Sequence, residues 1–536
     1  MRRMLLIILG LIALAAVVLL PIARRHMHAE AGMTNRHGVR ATLAAMGAVL
    51  MGTNSTAALA VPPTVIGVSV SLPTYSGQTR ALANLAAGSN WFAKDHHVLG
   101  LDEVDEQGNI KKVLPGIPLN RVMTPPNAAE KNPTIRCTWK GKGTLKVGGR
   151  MVQGGRGDAH TFTYMLNTMP APDGTYPASV LTVSDVDAVD PIRDIDCRET
   201  TIPATVRIDP LFVAMLRGFR ILRFMDWQNT NENAPVTWAT RHLPGAIDTT
   251  HRDGVAIEDM IALAKEAGTD AWFNMPYNGD DDYYEHFAQL VHDSLPADRT
   301  VYVEMGNEVW NHGFRVAAQA MHEGQAANLA SDANKAGLER YAQRLAHVMD
   351  IWKKVYADRP RSLVRVAACQ NSDWCAKTVL GYEDTAHHVD AMATAPYFGA
   401  RLNNNVYASP DELFAALDGE IDHTLGLALQ VKAVAAQFGK RYIAYEGGQH
   451  LIFKDNIAFE QQVERDPRMY DAYKKYLDTW RTQIGDTISL WVASGKISRY
   501  GAWGLVEYVG QPLSEAPKMR AVQDEIALSQ QGKSAH

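Results

Sequence analysis

From Pro62 onward the chain alternates two patterns of apolar and polar positions. Short runs of β-branched and aromatic residues are separated by longer stretches whose apolar positions recur every three or four residues. Eight runs read as strands: Thr64–Leu72 (TVIGVSVSL), Phe219–Met225 (FRILRFM), Asp270–Pro276 (DAWFNMP), Thr300–Gly306 (TVYVEMG), Ser362–Cys369 (SLVRVAAC), Val389–Tyr397 (VDAMATAPY), Lys440–Gly448 (KRYIAYEGG) and Ile497–Leu505 (ISRYGAWGL). Between them, helices are expected over Arg80–Phe92, Ala256–Gly268, Asp280–Leu295, Ala317–Tyr356, Asp411–Gly439 and Asp466–Ile484, several with an acidic first turn or a glycine stop. The style changes from about Asp102 to Val206, where short β-like pieces are punctuated by Gly, Pro, Asn and Asp. Strand–helix alternation implies a parallel sheet, and eight such units imply a (β/α)8 TIM barrel. The organisation expected is a leader over 1–61, the start of the barrel over 62–101, a small β-sandwich inserted at 102–206 after the first strand and helix, and the rest of the barrel with a C-terminal helix over 207–536.

The N-terminus adds a targeting signal. A basic start precedes an apolar run from Met4 to Leu20 and a basic flank at Arg24 and Arg25, nearly enough to span a bilayer. A second export-like segment opens at Met33 and ends at the small-residue site Ala58-Leu59-Ala60. Either Met33 is the true start or the first run is a membrane anchor with a short linker. Both readings put the body of the protein outside the cytoplasm, whether periplasmic, secreted or membrane-anchored. Four cysteines suit that compartment, and local pairing gives Cys137–Cys197 and Cys369–Cys375. Their spacing fits no zinc motif. With 46% hydrophobic residues, 21% charged residues and a net charge of −5, the composition is that of a globular protein, with nothing that calls for a nucleic-acid partner.

In a barrel of this kind, chemistry sits where strands end and βα loops begin. Those ends carry Arg223, Asp226 and Trp227; Asn274, Tyr277 and Asn278; Asn307, Glu308, Trp310 and Asn311; Gln370 and Asn371; Tyr397; Glu446, Gln449 and His450; and Trp503 and Glu507. The set is rich in carboxylates, amides and aromatic rings. It lacks a phosphate loop, a serine elbow and a tight metal cluster, and no cofactor is implied. The run Asp280–Asp282 reads as an acidic helix start, with calcium as the other reading. Amides and carboxylates hydrogen-bond hydroxyls, rings stack on sugar faces, and two glutamates on separate strands are what glycoside hydrolysis needs.

The motifs GNEVWN (306–311) and AYEGGQH (444–450) resemble the clan A glycoside hydrolases, which carry Asn-Glu after strand four and Glu after strand seven. The resemblance implies Glu308 as acid/base, Glu446 as nucleophile, Asn307 on the sugar 2-hydroxyl, Tyr397 on the nucleophile, Arg223 orienting it, and Trp503 flooring the sugar subsite. Trp227, Asn278, Trp310 and His450 are further candidate substrate contacts. Arg223 also has a plausible partner in Glu304, which on an alternating strand points inward. The chain is also similar to a group of exported bacterial proteins with RFMDW, WFNMP and NEVWN in this order, loosely described as cellulose-binding. The activity implied is retaining hydrolysis of an extracellular polysaccharide. The alternatives are a non-catalytic glycan-binding protein on the same fold and a transglycosylase that remodels exopolysaccharide.

Overall fold

Strands that are apolar on both faces can be buried only between a packed interior and a helical shell. The computed structural model describes residues 62–74, 79–93, 98–100, 102–111, 116–123, 132–167, 179–245, 254–403 and 405–534. Eight parallel strands close into one barrel: β1 (Val65–Ser69), β2 (Ile221–Arg223), β3 (Asp270–Met275), β4 (Val301–Met305), β5 (Leu363–Ala368), β6 (Ala391–Thr394), β7 (Arg441–Ala444) and β8 (Thr487–Leu490). β1 pairs with both β2 (Gly67 opposite Ile221) and β8 (Val65 opposite Thr487), which closes the ring. Helices follow the strands, the longest being Pro410–Gln437. The fold class is the (β/α)8 barrel with an inserted antiparallel module.

The period of two along each strand sorts the side chains. On β4, Val301, Val303 and Met305 join the large core between sheet and helices, whereas Tyr302 belongs to the smaller core inside the ring with Ile221, Trp272 and Ile443. The same alternation turns Glu304 toward the interior, where it meets Arg223.

The inserted module has two four-stranded antiparallel sheets. Ile135, Cys137, Leu145, Leu181, Val183 and Cys197 share one apolar core between them, so it is a sandwich. Its strands run from Phe92–Ala93 to Arg193–Glu199. Cys137 and Cys197 lie opposite each other on neighbouring strands and are bonded. A buried cluster of Arg80 with Glu199 and Asp209 ties the module's exit to the barrel, and Asp209 also caps helix Pro210–Leu216.

Two expected elements differ. Arg80–Phe92 is not a helix. Leu82 bridges Ile208, the Ala83 N–H donates to Arg207 O, and the Asn84 side chain accepts from the N–H groups of Ala86 and Cys197. This stretch is buried nearly all round, so it lacks the polar face that a surface helix presents to water, and Asn84 offers the backbone a competing bond. The first helix of the barrel is therefore Pro210–Leu216, after the module rather than before it. The eighth strand is Thr487–Leu490, not Ile497–Leu505. All four of its residues are buried, as a barrel strand requires, while Arg499 and Tyr500 are exposed. The leader over 1–61, with its apolar run and both export readings, lies outside the described residues. Among the described residues, no helix is long and apolar enough to cross a membrane.

Candidate active site

At the carboxyl ends of the strands one guanidinium joins three others. Arg223, the last residue of β2, is fully buried. Its Nε and Nη2 donate to Glu304 at 3.0–3.1 Å, Nη1 donates to Glu446 Oε1 at 2.5 Å, and Nη2 donates to Asn307 Oδ1 at 2.9 Å. Burial opposes the charge on Arg223, but Glu304 and then Glu446 outweigh it and hold the guanidinium above its ordinary pKa. Glu304 also accepts from Trp272 Nε1 at 3.0 Å. Glu446 follows β7, is 5% exposed, and receives a second donor, the Tyr397 hydroxyl, on Oε2 at 2.8 Å. Both of its oxygens are thus held.

The glycines after Glu446 have a steric reason. A Cβ on Gly447 would lie 2.6 Å from the Tyr476 hydroxyl, which donates to Pro396 O at 2.9 Å. Tyr476 in this way clamps the loops carrying Tyr397 and Glu446 together.

Glu308 is placed by a turn that leaves β4 through left-handed backbone at Gly306 (φ 66°) and at Glu308 itself (φ 46°). A non-glycine residue there is uncommon and carries strain of about 1–3 kcal/mol. The carboxyl is 9% exposed. It accepts from Asn311 Nδ2 on Oε2 at 2.7 Å and from the Tyr445 hydroxyl on Oε1 at 3.1 Å. Burial, and next the charge on Glu446, push it up to about 7, against the opposing bonds from Asn311 and Tyr445. Two carboxyls from different strands therefore share a site and differ in surroundings: one is pinned by a cation and a phenol, the other is held near its neutral form.

Aromatic side chains frame the pair. Trp310 Nε1 donates to the Tyr445 hydroxyl at 3.2 Å. The His450 ring packs on Tyr397, with centroids 5.3 Å apart, and on Trp503 at 5.6 Å. Burial lowers the His450 pKa. Trp491, which follows β8 directly, is partly buried, and its N–H donates to Gly447 O at 3.0 Å, beside Glu446. Trp491 is thus the first aromatic residue after the eighth strand, and Trp503 lies farther along the same loop, against His450. Asp226 is half-buried, and its carboxyl is raised to about 7 by burial and then by the Glu446 charge.

Other expected residues are elsewhere. Trp227 is fully buried in the core, stacked on Phe212 with Nε1 on Ser71 O; it lies in the turn after β2, where strand alternation no longer sets its facing. Asn278 spends both ends of its amide on protein, donating to Asn233 O and accepting from Gln319. Asn307 stays at the site, its Oδ1 accepting from Arg223 and its Nδ2 donating to Asn231, which leaves one N–H of the amide uncommitted in these bonds. Glu507 pairs with Arg465. Asp280 caps helix Asp281–Ser294, and Asp281 and Asp282 pair with His347 and His286. Cys369–Cys375 is bonded. The residues that sequence reading passed over are Tyr445, Trp272, Asn231 and Trp491. Tyr445 stands inside the quoted AYEGGQH motif, so its signal was present. Asn231 and Trp491 had none, because loop paths and the true eighth strand bring them in.

No family model matches the chain, and no curated protein sequence matches it. Among solved structures it is similar to a family 51 α-L-arabinofuranosidase from Bifidobacterium longum (15% identity, TM-score 0.39, 58% of this chain and 65% of that one). It is also similar to a glucosidase from Croceicoccus marinus (12%, 0.37, 59% and 62%) and to an α-L-arabinofuranosidase from Thermotoga maritima (13%, 0.36, 59% and 63%). The match spans less than two thirds of each of these chains.

Proposed function

We propose that the chain is a retaining glycoside hydrolase that cleaves an extracellular poly- or oligosaccharide by double displacement. The observation that carries this reading is the division of labour between Glu446, fixed on both oxygens by Arg223 and Tyr397, and Glu308, raised to about 7. In the first step a Glu446 oxygen bonds to the anomeric carbon as the glycosidic C–O bond breaks, and Glu308 gives its proton to the departing oxygen. The glycosyl ester removes the charge from Glu446, so the main charge opposing ionisation of Glu308 is gone. Glu308, now a carboxylate, takes a proton from water as that water attacks the anomeric carbon. The sugar leaves with its configuration retained, and both glutamates return to their starting states. Arg223 and Tyr397 aim Glu446 and offset its charge. Trp491, Trp503 and His450 supply the ring surfaces against which a sugar face can lie.

The mechanism requires the two carboxyls roughly 5–5.5 Å apart. The test is reducing-sugar release by the full-length protein from a panel of soluble polysaccharides, with the first anomer formed read by proton NMR. Retention supports the reading, while an inverted product, or cleavage undiminished in Glu308→Gln and Glu446→Gln, overturns it. Export is part of the same proposal, supported by two disulfides suited to an oxidising space. Cell fractionation that recovered the protein in the cytosol with free thiols would remove it.

A further inference from the structure

The loop after β5 holds a ring that the reaction above does not use. The chain has eleven tryptophans, and only Trp374 is exposed, at 50%. It is the second residue of helix Asp373–Leu380. Its neighbour Cys375 is bonded to Cys369, directly after β5, and both cysteines are buried. The indole is thus anchored at its root to the barrel while much of its surface stays in water. Leaving so large an apolar side chain wet forgoes hydrophobic stabilisation.

Trp374 borders a cleft of about 330 Å³, whose walls also include Trp310, Asn311, His312 and Gln370. That volume is at the lower end for ligand clefts. One of these walls touches the acid and another reaches it through one residue: Asn311 donates to Glu308, and Trp310 donates to Tyr445, which donates to Glu308. The cleft therefore adjoins Glu308 on the side of β4 and β5, whereas Glu446 is held from β2 and from the loop after β6. Among the described residues that line it, none is Asp, Glu, Lys or Arg.

We propose that this cleft is the leaving-group subsite and that it takes an uncharged sugar ring, one CH face stacked on Trp374 and its hydroxyls on the Gln370 and Asn311 amides. The inference rests on the glycosidase reading. An acid that protonates the glycosidic oxygen has the departing sugar on its own side, and the nucleophile enters from the opposite one. The cleft beside Glu308 then receives that sugar, and walls without Asp, Glu, Lys or Arg select a neutral ring over a uronic acid.

The test uses full-length protein on neutral polymers (mixed-linkage β-glucan, glucomannan, galactomannan, arabinoxylan), on acidic ones (polygalacturonate, alginate), and on glycosyl fluorides of the sugars these contain. Fluoride leaves without needing a sugar subsite, so the informative quantity is the ratio of kcat/KM for polymer to kcat/KM for fluoride. Trp374→Ala is expected to lower that ratio about tenfold, the scale of one aromatic face covering an apolar one, with Trp374→Phe recovering most of it. Gln370→Ala, at an exposed position, lowers the same ratio and serves should Trp374→Ala misfold. An unmoved ratio in both variants of a wild type that cleaves overturns the subsite and leaves the glycosidase reading standing. Cleavage of acidic polymers alone overturns the neutral-sugar assignment. A wild type inert on every polymer and every fluoride overturns the glycosidase reading, and this inference with it.

Discussion

The Tyr445 hydroxyl donates to Glu308 Oε1 at 3.1 Å, so the residue directly before the proposed nucleophile holds the proposed acid. That bond favours the carboxylate form of Glu308, against burial and the charge on Glu446, which favour the neutral one.

The first prediction is a pH profile. Glu308 must carry a proton in the first step, so kcat/KM should fall as pH rises through about 7. Tyr445→Phe removes a donor to the charged form, and this limb should move to higher pH. Asp226 is raised to about 7 as well, but it shares no bond with Tyr445. Asp226→Asn should therefore leave the limb in place. A limb that moves with Asp226→Asn and not with Tyr445→Phe would assign the acid to Asp226.

The same shift has a consequence for stability. The folded pKa of Glu308 lies above its unfolded value, so between about 4.5 and 7 the folded state binds the extra proton, and stability falls as pH rises across that window. Glu308→Gln, which never ionises, should be more stable than wild type at pH 8, by up to about 3 kcal/mol for a shift of this size. At pH 4 the gain should vanish. Urea unfolding at the two pH values measures it, and an equal difference at both would refute the linkage.

The two glutamates can be told apart with azide. In Glu308→Ala an aryl glycoside with a good leaving group still glycosylates Glu446, deglycosylation stalls, and azide should restore turnover with a product of retained configuration. In Glu446→Ala azide takes the vacated space and the product should be inverted. The reverse pattern of products would exchange the roles.

Arg223 is expected to hold structure as well as chemistry. Arg223→Met leaves Glu304 and Glu446 buried without their cation, which should cost about 3–5 kcal/mol. Adding Glu304→Leu should return much of that stability and none of the activity. Chemical denaturation and a rate assay of the two variants check both halves, and a double variant no more stable than the single one would count against the ion cluster.

The disulfides should differ in weight. Cys137–Cys197 spans 60 residues and Cys369–Cys375 spans 6. Loop-closure entropy assigns them about 4 and about 2 kcal/mol. Paired Cys→Ala variants, compared by thermal unfolding, should rank in that order.

The barrel was legible because its strands are buried on both faces and its helices on one, and that contrast is written in local sequence. The candidate residues after β4 and β7 were legible for the same reason: NEVWN and AYEGGQH each follow an unmistakable strand, and alternation alone turns Glu304 inward. Three matters were left to tertiary structure. Arg80–Phe92 has the alanine-rich look of a helix, yet it runs as a seam because the end of the inserted module bonds to it on one side. The eighth strand is the four buried residues Thr487–Leu490, too short to stand out against the aromatic run after it, so Trp491 rather than Trp503 directly follows that strand. Trp227 lies one residue past Asp226 and points into the core, a difference of facing that composition does not carry. Local pattern determines which segments are strands and which residues end them. Contacts across more than a hundred residues, such as Arg223 with Glu446 or Tyr445 with Glu308, exist only once the ring has closed, because closure is what brings the ends of separate strands within hydrogen-bonding reach.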